Sequence, residues 1–220
     1  MKNVLITGAG GNLGTAVVKR FLKEGYHVIA AVSPGKAPKE TMQGLTFVEV
    51  DLAQEALVER LIQDLTKGQS IDAALMLAGG YASGAIDKTG KVELAAMYDL
   101  NFLTAYNVAR PVFQTMMQQG SGTLVFIGAR AALDASTGKN MIAYGLSKSL
   151  LFKLSSFLGD AGKKSQVKSH VVVPSTIDSP ANREAMPNAD WSKWVQPAEI
   201  AGMLLDLVEG RRSEAVIETR

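Results

Sequence analysis

Tyr144 and Lys148 are four positions apart, in the segment Tyr144-Gly145-Leu146-Ser147-Lys148, which has helical character. Residues four apart lie on one face of a helix, so we expect the phenol and the ammonium to be neighbours. A free phenol has a pKa of about 10 and is a poor acid or base at neutral pH. A nearby ammonium favours the phenolate and lowers that pKa, which makes proton exchange workable. The pair is a candidate acid–base centre, although the same spacing also occurs on helix faces without catalytic function.

A glycine-rich segment follows the first apolar run of the chain. Gly8 allows a tight turn, Gly11 lets a pyrophosphate approach the backbone, and Gly14 lets the next helix pack closely on a sheet. No Lys-Ser/Thr pair follows these glycines, which excludes a phosphate-transfer loop. We predict a dinucleotide site, the alternative being a tight strand–helix turn without a ligand. Its predicted contacts are Gly8, Gly11, Asn12, Leu13 and Gly14.

The choice of dinucleotide depends on the end of the second apolar run. An NAD site commonly has an acid here that accepts the ribose hydroxyls. This run ends at Val32 and is followed by Ser33, Pro34, Gly35 and Lys36, with no acid. A 2′-phosphate fits beside Ser33 and Lys36, so NADP is slightly preferred over NAD. The alternative for Lys36 is a solvated turn lysine.

The elements that must position these residues alternate along the chain. Short continuous apolar runs separated by helical patterns predict a parallel sheet covered on both faces. No repeat or interdomain linker interrupts them, so the predicted fold class is α/β: a single doubly wound Rossmann-type parallel sheet, in one domain of residues 1–220. The predicted strands are 4–6, 27–32, 45–50, 71–77, 123–127, 167–173 and 215–217. The predicted helices are 12–24, 54–67, 91–97, 98–119, 141–159 and 197–209.

Prolines break this pattern in two places. Pro111 lies inside the predicted helix 98–119, where it removes a hydrogen bond to Asn107 and predicts a bend. The segment 174–197 contains four prolines and little periodicity, so we predict a loop that binds substrate at about residues 175–196. It follows the carboxyl end of a strand, where open α/β sheets bind their ligands.

Composition excludes several other functions. The 23 Lys and Arg nearly balance the 21 Asp and Glu without a basic block, which argues against nucleic acid or a membrane surface as partner. With no cysteine and two histidines, both in strand-like runs, we expect no disulfide, thiol nucleophile or metal site. No apolar stretch approaches the roughly 20 residues of a membrane span, and we expect no signal peptide. A cytoplasmic protein with a small-molecule substrate is predicted.

With the Tyr144/Lys148 pair behind a glycine turn, the chain resembles the short-chain dehydrogenase/reductase family over nearly its whole length. The resemblance implies an NAD(P)-dependent oxidoreductase in which Tyr144 and Lys148 are catalytic and Asn101 supports a proton relay. For Asn101 the alternative is a capping or surface residue, and for Asp51 it is a helix N-cap. The further cofactor contacts that it implies are Asp51, Leu52, Ala78, Gly79, Gly80, Tyr144, Lys148, Pro174 and Ser179.

One departure from the family concerns the serine that polarises a substrate carbonyl, since Ala129 stands at that position. Ser136 or Thr137 is an alternative source of the hydroxyl, in a segment two residues longer than usual. The missing serine matches the dihydropteridine reductases, which the chain also resembles around Gly128–Asp134 and Asp178–Asp190. Their quinonoid substrate becomes aromatic when it takes up hydride, so no carbonyl needs activation.

This narrower resemblance predicts a reductase that transfers hydride to a quinonoid dihydropterin-like substrate. It implies substrate contacts at Tyr81, Ala129 and Trp191, with packing of the loop as the alternative for Trp191. A short-chain reductase for another carbonyl or quinone is the alternative function, and a non-catalytic NAD(P)-sensing protein is a third. The family resemblance also implies a homodimer formed through the helices 98–119 and 141–159, whose apolar residues are alternatively core.

Overall fold

The fold is a parallel sheet between two layers of helices. The computed structural model of the protein describes residues 1–38 and 42–219. Within them the sheet has seven parallel strands in the order β3-β2-β1-β4-β5-β6-β7, so the order reverses between β1 and β4. The predicted doubly wound α/β sheet is confirmed. The strands are β1 (Asn3–Thr7), β2 (His27–Val32), β3 (Leu45–Glu49), β4 (Ala73–Met76), β5 (Gly122–Ile127), β6 (Val167–Val173) and β7 (Val216–Glu218).

The helices divide between the two faces according to which apolar side chains each strand presents. Alternate strand residues point to opposite faces, so Ile6 packs in the core beneath α1 and α8, while Leu5 packs beneath α2, α4 and α6. Both faces are buried, which explains why the strands are continuous apolar runs. The helices are α1 (Asn12–Lys23), α2 (Glu55–Thr66), α3 (Lys91–Met97), α4 (Thr104–Gln119), α5 (Ala135–Gly138), α6 (Ile142–Gly162), α7 (Pro180–Ala185) and α8 (Pro197–Val208).

A π-helical turn, Tyr98–Leu103, joins α3 to α4. The sequence predicts an ordinary α-helix over these residues, with its irregularity at Pro111. Instead, α4 continues through Pro111, and the widened turn lies before it, around the buried Asn101. Such π-turns are frequent at functional sites because they insert one extra residue and redirect a side chain.

The segment 174–196 is more regular than the predicted loop. It contains α7 and a 3-10 turn, Trp191–Lys193, and Ile177 pairs with Val195 in a parallel bridge. Ser179 begins α7 by accepting a hydrogen bond from the backbone N–H of Asn182 at 3.1 Å. Prolines at the starts of α7 and α8 fit helix N-termini, where no N–H donor is needed, so they break the periodicity without preventing helices. Among the described residues, no helix is both long and apolar enough to cross a membrane.

Candidate active site

The structure brings Tyr144 and Lys148 together at the start of α6. The Lys148 side chain is 6% exposed, and its Nζ lies 6.0 Å from the centroid of the Tyr144 ring. Nζ donates a hydrogen bond to the backbone carbonyl of Ile127, at the end of β5, with a length of 2.9 Å. The ammonium is therefore fixed between α6 and the sheet.

Burial shifts the two titrating groups in opposite directions. It raises the pKa of Tyr144 to about 12, with a smaller contribution from Tyr81, and lowers the pKa of Lys148 to about 8. Burial disfavours whichever form is charged, the phenolate in one case and the ammonium in the other. The sequence-based expectation of a lowered phenol pKa is wrong for this structure, because burial of Tyr144 raises its pKa. At neutral pH the phenol is protonated, so it can act as a proton donor.

Asn101, in the π-turn, forms hydrogen bonds to two other parts of the site. Its side chain is fully buried, which excludes the surface alternative. Its Oδ1 accepts a hydrogen bond from the backbone N–H of Gly80 at 2.9 Å, and its Nδ2 donates to Ser147 Oγ at 3.1 Å. The Ser147 hydroxyl in turn donates to the carbonyl of Tyr144 at 2.8 Å. The amide thus connects the segment after β4 to the first turn of α6.

The turn between β1 and α1 depends on two glycines. Gly8 has a φ of 63° and approaches the segment after β4 so closely that a Cβ would lie 2.8 Å from the Ala78 nitrogen. A Cβ on Gly14 would lie 2.1 Å from the Gly8 carbonyl oxygen. Thr7 fixes the same junction, since its Oγ1 accepts hydrogen bonds from the N–H groups of Leu77 and Ala78. The φ of Gly8 agrees with its predicted role in a tight turn, and the distance at Gly14 agrees with its predicted role in close packing.

A cavity of about 770 Å³ follows the carboxyl ends of β1 to β4, at the point where the strand order reverses. This is where open α/β sheets bind dinucleotides, and its volume suits such a ligand. The dinucleotide that the glycine turn predicts fits these residues. The predicted residues that line the cavity are Gly8, Gly11, Ser33, Lys36, Asp51, Leu52 and Ala78.

Other cavity residues were missed by sequence reasoning. Ala96, Asp99, Leu100 and Thr104 line it from α3, the π-turn and α4. They are brought there by packing across the sheet, and no local motif indicates them. Asp51 accepts hydrogen bonds from the backbone N–H of Ala53 and from a glutamine side chain, both at 3.0 Å. It lies before the N-cap position of α2, so the N-cap alternative is wrong.

Some predicted cofactor positions lie outside that lining. Asn12 faces a neighbouring space of about 430 Å³ with Gly11, and its side-chain amide donates to the carbonyl of Asp178 at 3.2 Å. Leu13 packs against the core beneath α1. A Cβ on Gly79 would lie 2.5 Å from Asn101 Oδ1, so a glycine here allows the Asn101 side chain to approach the segment after β4. These three predicted residues therefore do not line the 770 Å³ cavity.

Ala129 is 7% exposed and lies two residues after the end of β5. The two hydroxyls considered as substitutes are engaged elsewhere: Ser136 and Thr137 both donate to the carboxylate of Asp134, at 2.6 and 2.7 Å. These bonds, with those of their backbone N–H groups, lower the pKa of Asp134 to about 2 and cap α5. Neither hydroxyl is free to donate to a substrate in this arrangement.

Aromatic residues lie beside Tyr144 and within the 175–196 segment. Tyr81 is 63% exposed, and its ring meets the Tyr144 ring edge-on with centroids 5.2 Å apart. Trp191 lies within the 175–196 segment, where its Nε1 donates to the carbonyl of Met186 at 3.1 Å. The Arg183 guanidinium lies 4.7 Å above the Trp191 ring. The structure therefore brings Tyr81 to Tyr144, whereas these contacts of Trp191 lie within its own segment.

Asp178 holds that segment together. Its carboxylate accepts two hydrogen bonds of 2.6 Å from Arg183 and one of 2.9 Å from Gln196. These bonds lower the pKa of Asp178 to about 2. Pro174 follows β6 directly. The Oγ of Ser179 caps α7 by accepting the Asn182 N–H. The segment thus starts at the strand ends and is connected to the glycine turn through Asn12.

The sequence was compared with known proteins. The family model described as short chain dehydrogenase matches residues 2–190. The chain belongs to the short-chain dehydrogenase/reductase family. It is 28% identical over 208 residues to a dihydropteridine reductase of Dictyostelium discoideum, covering 93% of this chain and 87% of the relative. It is 26% identical over 236 residues to an acetoacetyl-CoA reductase of an Acinetobacter species, covering 99% and 94%.

The same fold occurs among solved structures. A structure described as ElxO with NADP bound superimposes with a TM-score of 0.90 at 21% identity, covering 99% of this chain and 96% of the other. As a short-chain dehydrogenase/reductase, the chain is an oxidoreductase, and the family uses a nicotinamide cofactor. The names of the two relatives denote reductases of chemically different substrates, so the substrate must be argued from the site itself.

Proposed function

We propose that this short-chain dehydrogenase/reductase is an NAD(P)H-dependent reductase of a quinonoid dihydropterin-like substrate. The observation that carries the proposal is Ala129, a buried alanine at the position of the family serine, in a site whose Tyr144 and Lys148 are retained. A ketone needs a hydrogen-bond donor on its oxygen as negative charge develops there. A quinonoid ring gains aromaticity on reduction and does not depend on that donor. The similarity to a dihydropteridine reductase supports this reading.

The dinucleotide supplies the hydride when bound, and the protein supplies the proton. Tyr144 donates its phenolic proton to the reduced substrate, which its raised pKa permits at neutral pH. Lys148 stabilises the resulting phenolate and contacts the nicotinamide ribose. Asn101 holds the geometry through Gly80 and Ser147 and supports proton resupply. The substrate thereby gains one hydride and one proton.

The substrate lies between Tyr81 and the 175–196 segment in this proposal. The exposed ring of Tyr81, in contact with Tyr144, offers a flat apolar surface for a planar heterocycle. Ala129 leaves room where the family has a serine. Trp191, held by Arg183 and Met186, forms the outer wall.

The cofactor extends from the glycine turn to the strand ends near β6. Its pyrophosphate lies on the turn 8–14 and its adenine near Asp51 and Leu52. Ser33 and Lys36 favour NADPH slightly, since a phosphate prefers hydroxyl and ammonium donors. The nicotinamide end lies near Ala78, Gly79, Gly80, Pro174 and Ser179.

The 220 residues are proposed to form one cytoplasmic NAD(P)-binding domain that dimerises through α4 and α6. Several large apolar side chains on these helices and on the adjoining α3 and π-turn are exposed, which supports an interface there. They are Leu94, Tyr98, Tyr106, Leu146, Leu150 and Phe157.

Reduction of a carbonyl substrate is the second candidate, favoured by the similarity to an acetoacetyl-CoA reductase. A direct competition separates the two. Purified protein is given NADPH with quinonoid dihydropterin generated in situ, with acetoacetyl-CoA, or with a simple quinone, and cofactor oxidation is followed. The proposal expects a kcat/KM for the dihydropterin well above the other two. A preference for acetoacetyl-CoA would contradict it.

A further inference from the structure

The turn after β2 forms one wall of the cofactor cavity. Ser33, Pro34 and Lys36 all line the cavity. Gly35 has a φ of 73°, and the N–H of Lys36 donates to the carbonyl of Ser33 at 3.0 Å. A turn that includes a left-handed residue points successive backbone N–H groups toward one side, which creates a concave anion-binding site called a nest.

A carboxylate of the protein already occupies this nest. Glu49 is the last residue of β3 and pairs with Val32, the last residue of β2. Its Oε1 accepts a hydrogen bond from the backbone N–H of Ala37 at 3.0 Å. The N–H groups of Ala37, Gly35 and Lys36 all contribute to holding the pKa of Glu49 below its usual range. The Ala37 N–H donates directly to Glu49, whereas the Lys36 N–H is directed to the Ser33 carbonyl. The turn therefore favours an anion at this position mainly through Ala37.

We propose that Glu49 determines cofactor specificity by opposing the 2′-phosphate of NADPH. The end of β2 lacks the acid that accepts ribose hydroxyls in NAD sites, and Glu49 brings a carboxylate to the same turn from β3. Its negative charge lies beside the turn that carries Lys36, and its Oε1 occupies the Ala37 N–H, a donor that a phosphate would otherwise use. NADPH brings up to about two additional negative charges at this position, whereas NADH brings none.

This inference rests on the proposed dinucleotide site and refines its cofactor preference. With Glu49 in place, the attraction of Lys36 for a 2′-phosphate is largely cancelled, so both cofactors bind. Asp51 and Asp99 also line the cavity, but they are present in every variant considered below. Their contribution therefore cancels when the ratio of NADPH to NADH affinity is compared between variants.

Glu49→Gln tests the effect of the Glu49 negative charge separately from that of its hydrogen bond. The amide oxygen still accepts the Ala37 N–H, so the turn keeps its hydrogen bond while the negative charge is removed. The dissociation constants of NADPH and NADH are measured by nicotinamide fluorescence, without any substrate. We expect the NADPH constant to fall about two- to fivefold, the scale of one exposed charge acting on a phosphate, and the NADH constant to stay nearly unchanged. The difference should shrink as salt is added.

Glu24→Gln is the matched control, because it makes the same change in net charge at the C-terminal end of α1, where Glu24 pairs with Arg20. This control should leave the ratio of NADPH to NADH affinity unchanged. An unchanged ratio in Glu49→Gln, or weaker NADPH binding in that variant, would overturn the inference while leaving the dinucleotide site intact. If the wild-type protein binds neither cofactor, the proposed site and the inference both fail.

Discussion

Lys148 Nζ donates to the backbone carbonyl of Ile127 at 2.9 Å, so the ammonium of α6 is held at the end of β5, two residues before Ala129. Because Lys148 is buried, its pKa is lowered to about 8, while that of Tyr144 is raised to about 12. The protonated forms of both groups therefore coexist at neutral pH, and the lysine is the first to lose its proton as pH rises.

The loss of the Lys148 proton before that of Tyr144 predicts how kcat/KM changes at alkaline pH. We expect kcat/KM to fall above about pH 8, approaching tenfold per pH unit, because neutral Lys148 no longer stabilises a phenolate. Lys148→Arg retains its charge at every accessible pH, so its residual activity should lack this decline. Lys153→Arg, an exposed position on the same helix, is the control and should keep the wild-type profile. If the decline persists in Lys148→Arg, a group other than Lys148 causes it.

Asn101 connects Gly80 to Ser147 from within the core, and Asn101→Ala leaves the Gly80 N–H without its acceptor and removes the hydrogen bond donated to Ser147 Oγ. We expect the free energy of unfolding to fall by about 2–4 kcal/mol, since buried polar groups without partners are costly. The loss of kcat/KM should exceed what the fraction of unfolded protein explains, because the first turn of α6 loses its support. Urea denaturation gives the free energy of unfolding, and kcat/KM is measured without urea, where the variant is folded. Asn140→Ala, at an exposed position, should change stability by less than about 0.5 kcal/mol.

Ala129→Ser restores the hydroxyl that the family uses on carbonyl substrates. Ala129 is buried two residues beyond β5, at the position of the family serine, so the new hydroxyl is expected to contact a substrate carbonyl. Reduction of acetoacetyl-CoA should rise about tenfold or more, whereas reduction of quinonoid dihydropterin should change little. Steady-state rates with both substrates give the comparison. An equal gain for both would mean that the hydroxyl acts on Tyr144 and that substrate choice does not depend on position 129.

His170 predicts a dependence of stability on pH that is independent of catalysis. It is buried in β6, and burial lowers its pKa below the usual 6.5. The unfolded chain then binds a proton more readily than the folded one, so stability is complete above about pH 6.5 and decreases as the pH falls through it. Between pH 7 and 5, we expect the free energy of unfolding to decrease by up to about 1.4 kcal/mol per pH unit. His170→Asn should flatten this slope in urea titrations. An unchanged slope would show that other groups cause it.

The sequence predicted the parallel sheet, because strands buried on both faces leave continuous apolar runs. It also predicted the Tyr144/Lys148 pair and the glycine turn, whose geometry is set by residues close in the chain. Strand bounds shifted by one or two residues, as for β4, where the predicted 71–77 is Ala73–Met76 in the structure.

What the sequence did not predict depends on tertiary contacts. The direction of the Tyr144 pKa follows from its burial, which no spacing reveals. The position of Glu49 beside the turn after β2 follows from the pairing of β3 with β2. The π-turn around Asn101 has no local signal, and the short helix α7 was hidden by prolines that also suit a loop.

The most direct test of the account is the oxidation of NADPH and NADH, in parallel, by quinonoid dihydropterin generated in situ, with wild-type protein and with Tyr144→Phe. The substitution removes only the phenolic hydroxyl, and nicotinamide fluorescence verifies that the variant still binds cofactor. We predict rapid wild-type turnover that falls about 100-fold or more in Tyr144→Phe, the scale of a lost general acid. Turnover no faster than the non-enzymatic rate, or full activity in Tyr144→Phe, would contradict the proposed function.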